Sequence, residues 1–256
     1  MAGEFATLTR RQKESFAARG YLVVPGAVHP SLVESARREV RRRVALEPPP
    51  DGHVGPYSYF IDGDAPRPLH PLLFEGRALS AAESLIAPGK FEPPGQVQIS
   101  LNVPPFDHIP GGPHLDGLAP PEQNGRPGTF TLLAGVFLTD QSAEQMGNLW
   151  VWPGSHHAAA RYFRERGADA LLSSAPYPPV ELSEPCRVLG RAGDLLLAHY
   201  LLGHNTGGNT STLTREVVYF RLRREGHRGR WREFVCEPLS EFGPAVRLQT
   251  ESSAKS

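Results

Sequence analysis

Two potential metal ligands lie two residues apart, directly after a Pro-Gly-Gly turn. In the segment GGPHLDG, residues 111–117, His114 and Asp116 would share one face of an extended strand, because strand side chains alternate between faces. An imidazole beside a carboxylate can form a surface ion pair, or it can supply two of the three protein ligands of a metal site. The spacing alone leaves both interpretations open.

His204 is the histidine best placed to complete such a site, because it ends the apolar segment GDLLLAHYLLGH. The end of a strand delivers a side chain to a cavity mouth, whereas the interior position of His199 delivers it into a core. Arg215 starts the next β-branched strand, and its planar guanidinium can bind a carboxylate through two hydrogen bonds. Two histidines, one carboxylate and a nearby arginine suggest non-haem iron(II) with an acidic co-substrate.

The elements that must position these residues are helices first and strands afterwards. Thr9 is expected to cap a helix that Gly20 ends, and further helices are predicted at about 32–46 and 78–86. From residue 96 onward the chain consists of short apolar or alternating segments closed by turn residues: QVQISLNV, TFTLLAGVFLTD, NLWVWPG, DLLLAHYLLGH and REVVYFRLRR. This order predicts an α+β, mainly β protein with a sandwich or barrel of antiparallel strands.

Residues 47–71 are rich in proline and glycine and predict a long irregular loop that carries aromatic side chains. Such a loop can close over a substrate as a lid, or its aromatic residues can simply pack on the core. Arg221 shares strand parity with Arg215 and would face either the cavity or solvent. The candidate substrate contacts are Tyr57, Tyr59, Phe60, Phe106 and Arg221.

Composition favours a single soluble domain. The 256 residues carry 27 basic and 27 acidic side chains, which argues against nucleic acid or an anionic membrane as the main partner. No apolar run approaches the roughly 20 residues that span a bilayer. Two cysteines suggest a reducing, cytoplasmic compartment. We expect one domain over residues 1–248, a disordered tail at 249–256, and a monomer or homodimer.

Four features in order resemble the phytanoyl-CoA dioxygenase family of iron(II)/2-oxoglutarate oxygenases. They are the His-x-Asp pair, the segment GNLWVWPGSH, the strand that ends in His204, and Arg215 eleven residues later. The resemblance covers most of the chain and begins at LTRRQKESFAARGYLVVPG. It implies a double-stranded β-helix, which is a jelly-roll or cupin-like barrel, with N-terminal helices packed outside one sheet.

The resemblance also implies roles for individual residues. His114, Asp116 and His204 would hold iron(II), and Arg215 would bind the distal carboxylate of 2-oxoglutarate, with O2 as the second co-substrate. Thr206 would assist Arg215, and Gln98 and Asn102 could reach the other end of the co-substrate or the substrate. Thr131 and Thr129 are weaker candidates for the same contact. The alternatives are a turn hydroxyl for Thr206 and a solvated strand face for Gln98 and Asn102. The segment WPGSH is expected to be a structural turn.

The function implied is oxidation of an unactivated C–H bond of a small molecule, most simply hydroxylation in bacterial natural-product biosynthesis. Desaturation, cyclisation and epimerisation use the same chemistry and stay open. Halogenation is disfavoured because the carboxylate is present at Asp116. Two other classes are a cupin-like metal-dependent isomerase or hydrolase that does not use 2-oxoglutarate, and a non-catalytic relative that only binds a ligand.

Overall fold

The computed structural model describes residues 7–62, 67–118 and 125–247. The described helices are α1 (Arg10–Arg19), α2 (Pro30–Leu46), α3 (Pro71–Phe74), α4 (Ala78–Ile86), α5 (Ser155–Arg166), α6 (His227–Cys236) and α7 (Pro244–Arg247), with 3-10 turns at Arg67–Leu69 and Ala168–Ser173. Across these three ranges, no helix is long and apolar enough to cross a membrane. The expected tail at 249–256 lies outside the described residues.

The strands form two antiparallel sheets. They are β1 (Tyr21–Val24), β2 (Gly55–Asp62), β3 (Gln96–Val103), β4 (Leu132–Phe137), β5 (Leu149–Val151), β6 (Cys186–Arg187), β7 (Leu195–His199), β8 (His204–Thr206) and β9 (Arg215–Leu222). The larger sheet has the order β1-β7-β4-β9-β3-β2, and the smaller has the order β6-β5-β8. Two such sheets with helices outside the larger one confirm the α+β prediction and are consistent with a jelly roll.

Helices α1, α2 and α4 cover one face of the larger sheet. Strand β3 shows why, because Val97, Ile99 and Leu101 enter the core shared with these helices and are at most 3% exposed. The alternate residues Gln98 and Ser100 therefore project from the opposite face, towards the smaller sheet. A second core between the sheets extends to α5 and α6. The predicted alternation of this strand is confirmed.

The predicted helix ends are also confirmed where capping chemistry is local. The Thr9 hydroxyl accepts a hydrogen bond from the Gln12 N–H, while the Gln12 side chain accepts one from the Thr9 N–H. This reciprocal pair satisfies two backbone donors at the start of α1. At its other end Gly20 adopts a left-handed conformation with φ of +80°, which a glycine reaches without steric cost.

The predicted loop at 47–71 is wrong for its central part, because residues 55–62 form β2. This strand pairs with β3 from Gly55–Val103 to Asp62–Gln96 and is the edge of the larger sheet. An edge position tolerates Pro56, which lacks a backbone N–H, so proline content was misleading here. Residues 63–66 of the same segment lie outside the described residues.

Strand pairing also sorts the aromatic residues of β2. Tyr59 is paired with Ile99, faces the helices, and is 5% exposed, with its hydroxyl donating to the Glu47 carbonyl at 2.6 Å. Tyr57 packs against the same core. Phe60 faces the other way and is 52% exposed. Of these candidate substrate contacts only Phe60 projects towards the side of the sheet that carries Gln98.

The segment WPGSH, residues 152–156, is more than the structural turn that the sequence predicts. The segment WPGSH does contain a turn, but Ser155 begins the 12-residue helix α5 immediately after it. Gly154 permits this with a left-handed φ of +81°. Helix α5 packs on α6, and together they extend the core between the sheets.

Replacement of Tyr59 tests the assignment of this side chain to the core. We expect Tyr59→Ala to lower the free energy of unfolding by about 3 to 5 kcal/mol through the cavity it leaves. Tyr59→Phe should cost about 1 kcal/mol through loss of the bond to Glu47. Phe60→Ala is the control and should leave stability nearly unchanged. Urea denaturation measures all three, and equal stability of Tyr59→Ala and wild type would contradict the assignment.

Candidate metal centre and co-substrate cavity

A short antiparallel bridge brings the two histidines together. The His114 N–H donates to the His204 carbonyl at 3.0 Å, which places their imidazole ring centroids 4.5 Å apart. This bridge continues the smaller sheet beyond β8, so residues that are distant in sequence become neighbours. Asp116 follows two residues after His114 and joins them on the same side, as the alternation of a strand predicts.

The three side chains converge on one point. The Asp116 Oδ1 atom lies 3.6 Å from His114 Nε2 and 3.7 Å from His204 Nε2, and all three ligand atoms lie within 4.8 Å of one another. Ligand atoms that bind one ion at about 2 Å are roughly 3 to 3.5 Å apart, so small side-chain movements suffice to hold it. Nitrogen from two imidazoles and oxygen from one carboxylate are suited to iron(II).

Hydrogen bonds and nearby charges set the protonation states of His204 and Asp116 that favour binding of a cation. His204 Nδ1 lies 2.9 Å from the Leu202 carbonyl oxygen, so the proton belongs on Nδ1 and the Nε2 lone pair faces Asp116. Burial raises the pKa of Asp116, but contacts with both histidines and the charge of Arg221 outweigh it, and the pKa lies well below its ordinary value. The carboxyl group is therefore anionic.

The same ion-pair contacts act on His204. Burial lowers the pKa of this imidazole, whereas the neighbouring Asp116 carboxylate raises it, and the net shift is upward. The two ligand histidines also differ in exposure: the side chain of His114 is 39% exposed and that of His204 is 11% exposed. The site therefore opens towards solvent on the His114 side.

Arg215 is a buried cation whose contacts are all with neutral groups. It begins β9, is 2% exposed, and donates to Ser100 Oγ at 3.2 Å and to Tyr219 Oη at 2.6 Å. Its Nε atom has no hydrogen-bond partner, and no carboxylate of the described residues pairs with it. A buried guanidinium without an anion carries a large desolvation cost, which a bound carboxylate would offset.

A cavity joins Arg215 to the three candidate ligands. It is lined by the polar side chains of the triad and Arg215 and by the apolar side chains of Leu133 and Leu149. The lining residues are Gln98, Ser100, His114, Asp116, Leu133, Leu149, His204, Thr206, Arg215 and Tyr219. An elongated molecule with a carboxylate at one end and metal-binding oxygens at the other matches this distribution.

A second cavity of about 600 Å³ begins at Asp116 and continues outward. Arg221 and Phe60 lie in its wall, so both candidate substrate contacts are beside the triad. The other lining residues are Asp62, Gly95, Gln96, Gly117, Gly128, Arg223 and Arg228. The triad therefore stands between a small inner cavity and a larger outer one.

Several predicted contacts lie elsewhere. Asn102 is fully buried, but its amide donates to the Gly207 carbonyl at 2.8 Å, and so it holds the loop after β8. Thr131 donates to Glu241 at 2.8 Å in a separate buried cluster with His227, because it precedes β4 at the far end of the sheet.

The remaining candidates outside the cavities follow the same pattern of local contacts. Thr129 belongs to the His227 cluster, with its Oγ1 atom 3.0 Å from His227 Nε2. Phe106 stacks on His108 with ring centroids 5.0 Å apart. Neither side chain lines the inner or the outer cavity, and nor do Tyr57 and Tyr59.

Two contacts of Arg215 are not among the predicted residues. Ser100 lies between Gln98 and Asn102 on the same strand face, and Tyr219 lies four residues after Arg215 on its own strand. A glycine in the interior of β4 was the available signal, because such a glycine often marks a close approach. Gly135 is paired with Tyr219, and a Cβ atom there would lie 2.5 Å from Tyr219 Cε1.

The two sheets and the triad place the chain among double-stranded β-helix proteins with a two-histidine, one-carboxylate centre. The model of the family described as phytanoyl-CoA dioxygenase (PhyH) matches residues 16–217, and the chain belongs to this family. No curated protein sequence matches the chain.

Solved structures of similar fold include proteins crystallised with iron, or with nickel and 2-oxoglutarate. HygX from Streptomyces hygroscopicus, with nickel and 2-oxoglutarate bound, is 22% identical with a TM-score of 0.57, covering 86% of this chain and 89% of its own. The carbocyclase SnoK from nogalamycin biosynthesis is 20% identical with a TM-score of 0.61, covering 87% and 90%. The epimerase SnoN from the same biosynthesis is 22% identical with a TM-score of 0.60, covering 83% and 79%.

Replacement of Gly135 tests its role in making room for the Tyr219 ring. We expect Gly135→Ala to lower the free energy of unfolding by about 1 to 3 kcal/mol, because the new methyl group must displace that ring. In a Tyr219→Leu background, Gly135→Ala should lower the free energy of unfolding much less than it does in the wild type. Gly229→Ala is the control, since a Cβ atom there meets nothing within 4 Å. Equal penalties with and without the tyrosine, measured by urea denaturation, would argue against the contact.

Proposed function

We propose that this protein is an iron(II)- and 2-oxoglutarate-dependent oxygenase that hydroxylates an unactivated C–H bond of a small molecule in natural-product biosynthesis. The observation that carries the proposal is the buried Arg215, which lines one cavity with His114, Asp116 and His204 and pairs with no carboxylate in the described part of the chain. A metal site alone would not require a buried cation at that place.

The triad would hold the metal. His114, Asp116 and His204 supply three ligand atoms on one side, which leaves the other positions of an octahedral ion for the co-substrates. When bound, iron(II) and 2-oxoglutarate couple the oxidative decarboxylation of 2-oxoglutarate by O2 to the oxidation of a C–H bond. The chain's own contribution is to fix the ligands and to exclude water from the site.

The inner cavity would hold 2-oxoglutarate. Its distal carboxylate would pair with Arg215, whose two nitrogens are already aimed by Ser100 and Tyr219, while its 2-oxo acid end would face the triad. Thr206 and Gln98 line the same cavity and would be within reach of the co-substrate. Leu133 and Leu149, which also line the cavity, would pack against the carbon chain of the co-substrate and exclude water from it.

The outer cavity would hold the substrate. It begins at Asp116 and has Phe60 in its wall, so a bound molecule would present a carbon to the open side of the metal. Residues up to 248 would act as one oxygenase domain. The two free cysteines, Cys186 and Cys236, are compatible with the reducing environment of the cytoplasm.

Cyclisation and epimerisation are the second candidate outcomes, since SnoK and SnoN are a carbocyclase and an epimerase of this fold. These outcomes use the same metal and co-substrate and differ in what happens to the substrate. An isomerase or hydrolase that does not use 2-oxoglutarate is less well supported, because it would not explain the buried charge of Arg215.

An anaerobic titration tests the proposal. Iron(II) added to the metal-free protein with 2-oxoglutarate should produce a visible charge-transfer absorption band, because 2-oxoglutarate would bind directly to the metal. His114→Ala should abolish the band through loss of a ligand. Arg215→Ala should weaken 2-oxoglutarate binding at least about 30-fold, since loss of one partner of a buried charge pair costs about 2 to 5 kcal/mol.

The control is Arg230→Ala, which removes an arginine that is 56% exposed and paired with Glu233 on α6. It should leave the band and the 2-oxoglutarate affinity unchanged. Iron binding without any spectral response to 2-oxoglutarate would support the isomerase or hydrolase instead. Absence of both responses would contradict a working metal centre. Once the band is established, release of succinate in the presence of candidate small molecules identifies the substrate.

A further inference from the structure

A second arginine lies on the opposite side of the candidate metal centre. Arg221 is on β9, six residues after Arg215 and on the same face of the strand, and its side chain is 13% exposed. Its guanidinium is flanked by the rings of Phe60 and Phe130, at 5.6 Å and 5.9 Å from their centroids. Unlike Arg215, it contacts a candidate metal ligand directly.

The contacts of Arg221 divide the two oxygens of Asp116 between different partners. Arg221 Nη2 donates to Asp116 Oδ2 at 2.7 Å, whereas Oδ1 is the atom that faces His114 Nε2 and His204 Nε2. The same nitrogen donates to Gln98 Oε1 at 2.9 Å. Gln98 in turn donates from its amide to Ser58 Oγ at 3.0 Å, which connects the network to the edge strand β2.

We propose that Arg221 is a positioning residue that makes Asp116 bind the metal through Oδ1 alone. Chelation through both oxygens would make Oδ2 serve the metal and the guanidinium at once, which would weaken a short, charge-assisted hydrogen bond inside a largely buried site. With one ligand atom from each of three residues, an octahedral ion keeps three positions for its co-substrates. This inference rests on the proposed function and concerns how the triad is prepared for it.

The charge of Arg221 and its hydrogen bond to Asp116 have opposite effects on metal affinity. A guanidinium close to the site repels a divalent cation, while the bond to Oδ2 orients the carboxylate that attracts it. Partners of metal ligands typically contribute 10- to 100-fold in metal affinity, so we expect orientation to dominate in the intact triad. Without the Asp116 carboxylate, only the repulsion would remain.

Calorimetric titration with nickel(II), an oxygen-stable substitute for iron(II), separates these effects. Arg221→Gln should lower nickel(II) affinity about 10- to 100-fold relative to wild type. Arg221→Lys keeps a charged donor for Asp116 Oδ2 without the planar fork, so it should lose less nickel(II) affinity than Arg221→Gln. Arg230→Gln removes an exposed, ion-paired arginine and should change nothing. In an Asp116→Gly background, Arg221→Gln should leave the weak affinity unchanged or raise it.

Two results would overturn the inference. One is an unchanged nickel(II) affinity in Arg221→Gln. The other is an equal loss with and without Asp116, which would mean that Arg221 acts on the fold and not through the carboxylate. Far-UV circular dichroism and the thermal unfolding midpoint of the metal-free variants confirm folding, and Arg221→Lys replaces Arg221→Gln if the latter does not fold. Failure of the wild type to bind nickel(II) would instead contradict the proposed function itself.

Discussion

The buried charge of Arg215 is the constraint on which the rest of the site depends. A guanidinium at 2% exposure is stable only if polar groups surround it, and the structure supplies Ser100 from β3 and Tyr219 from β9. Gly135 on the neighbouring strand leaves room for the Tyr219 ring. Because these partners are neutral, the carboxylate of the proposed co-substrate would balance the positive charge within the cavity that Arg215 shares with the triad.

The two sheets contribute different parts of this site. The larger sheet supplies Arg215 and Arg221 from one strand, spaced so that one reaches the far end of the inner cavity and the other reaches Asp116. The smaller sheet supplies the histidines through the backbone bridge between His114 and His204. The strands therefore set the distance between the candidate metal centre and Arg215, and the side chains of the triad would need only small adjustments to hold an ion.

The triad, Arg215 and the alternation of β3 could be predicted from the sequence because each depends on local spacing. A period of two places His114 and Asp116 together, and Arg215 begins a β-branched strand as predicted. The expectation that His204 ends a strand and His199 lies inside it is wrong, because β7 ends at His199 and His204 begins β8 in the smaller sheet. Family order then linked these pieces, which spacing alone could not do. Local capping chemistry likewise predicted the ends of α1.

Features that depend on strand pairing could not be predicted in this way. The segment 55–62 forms a strand because it pairs with the exposed edge of β3. This pairing places Tyr59 in the core and directs Phe60 towards the outer cavity. Thr131 is polar like the residues that line the cavity, but it precedes β4 at the end of the sheet that carries the His227 and Glu241 cluster. The bond from Arg221 to Asp116 joins residues 105 apart in sequence, and no local pattern indicates it.

The central claim is that the triad and Arg215 form one site for two ligands, and their thermodynamic coupling tests it most directly. Calorimetry with nickel(II) and 2-oxoglutarate should show that each ligand raises the affinity of the other by the same factor, as linkage requires for ligands that bind in contact. Glutarate, which lacks the 2-oxo group, should show little coupling. Independent binding of nickel(II) and 2-oxoglutarate would contradict the account.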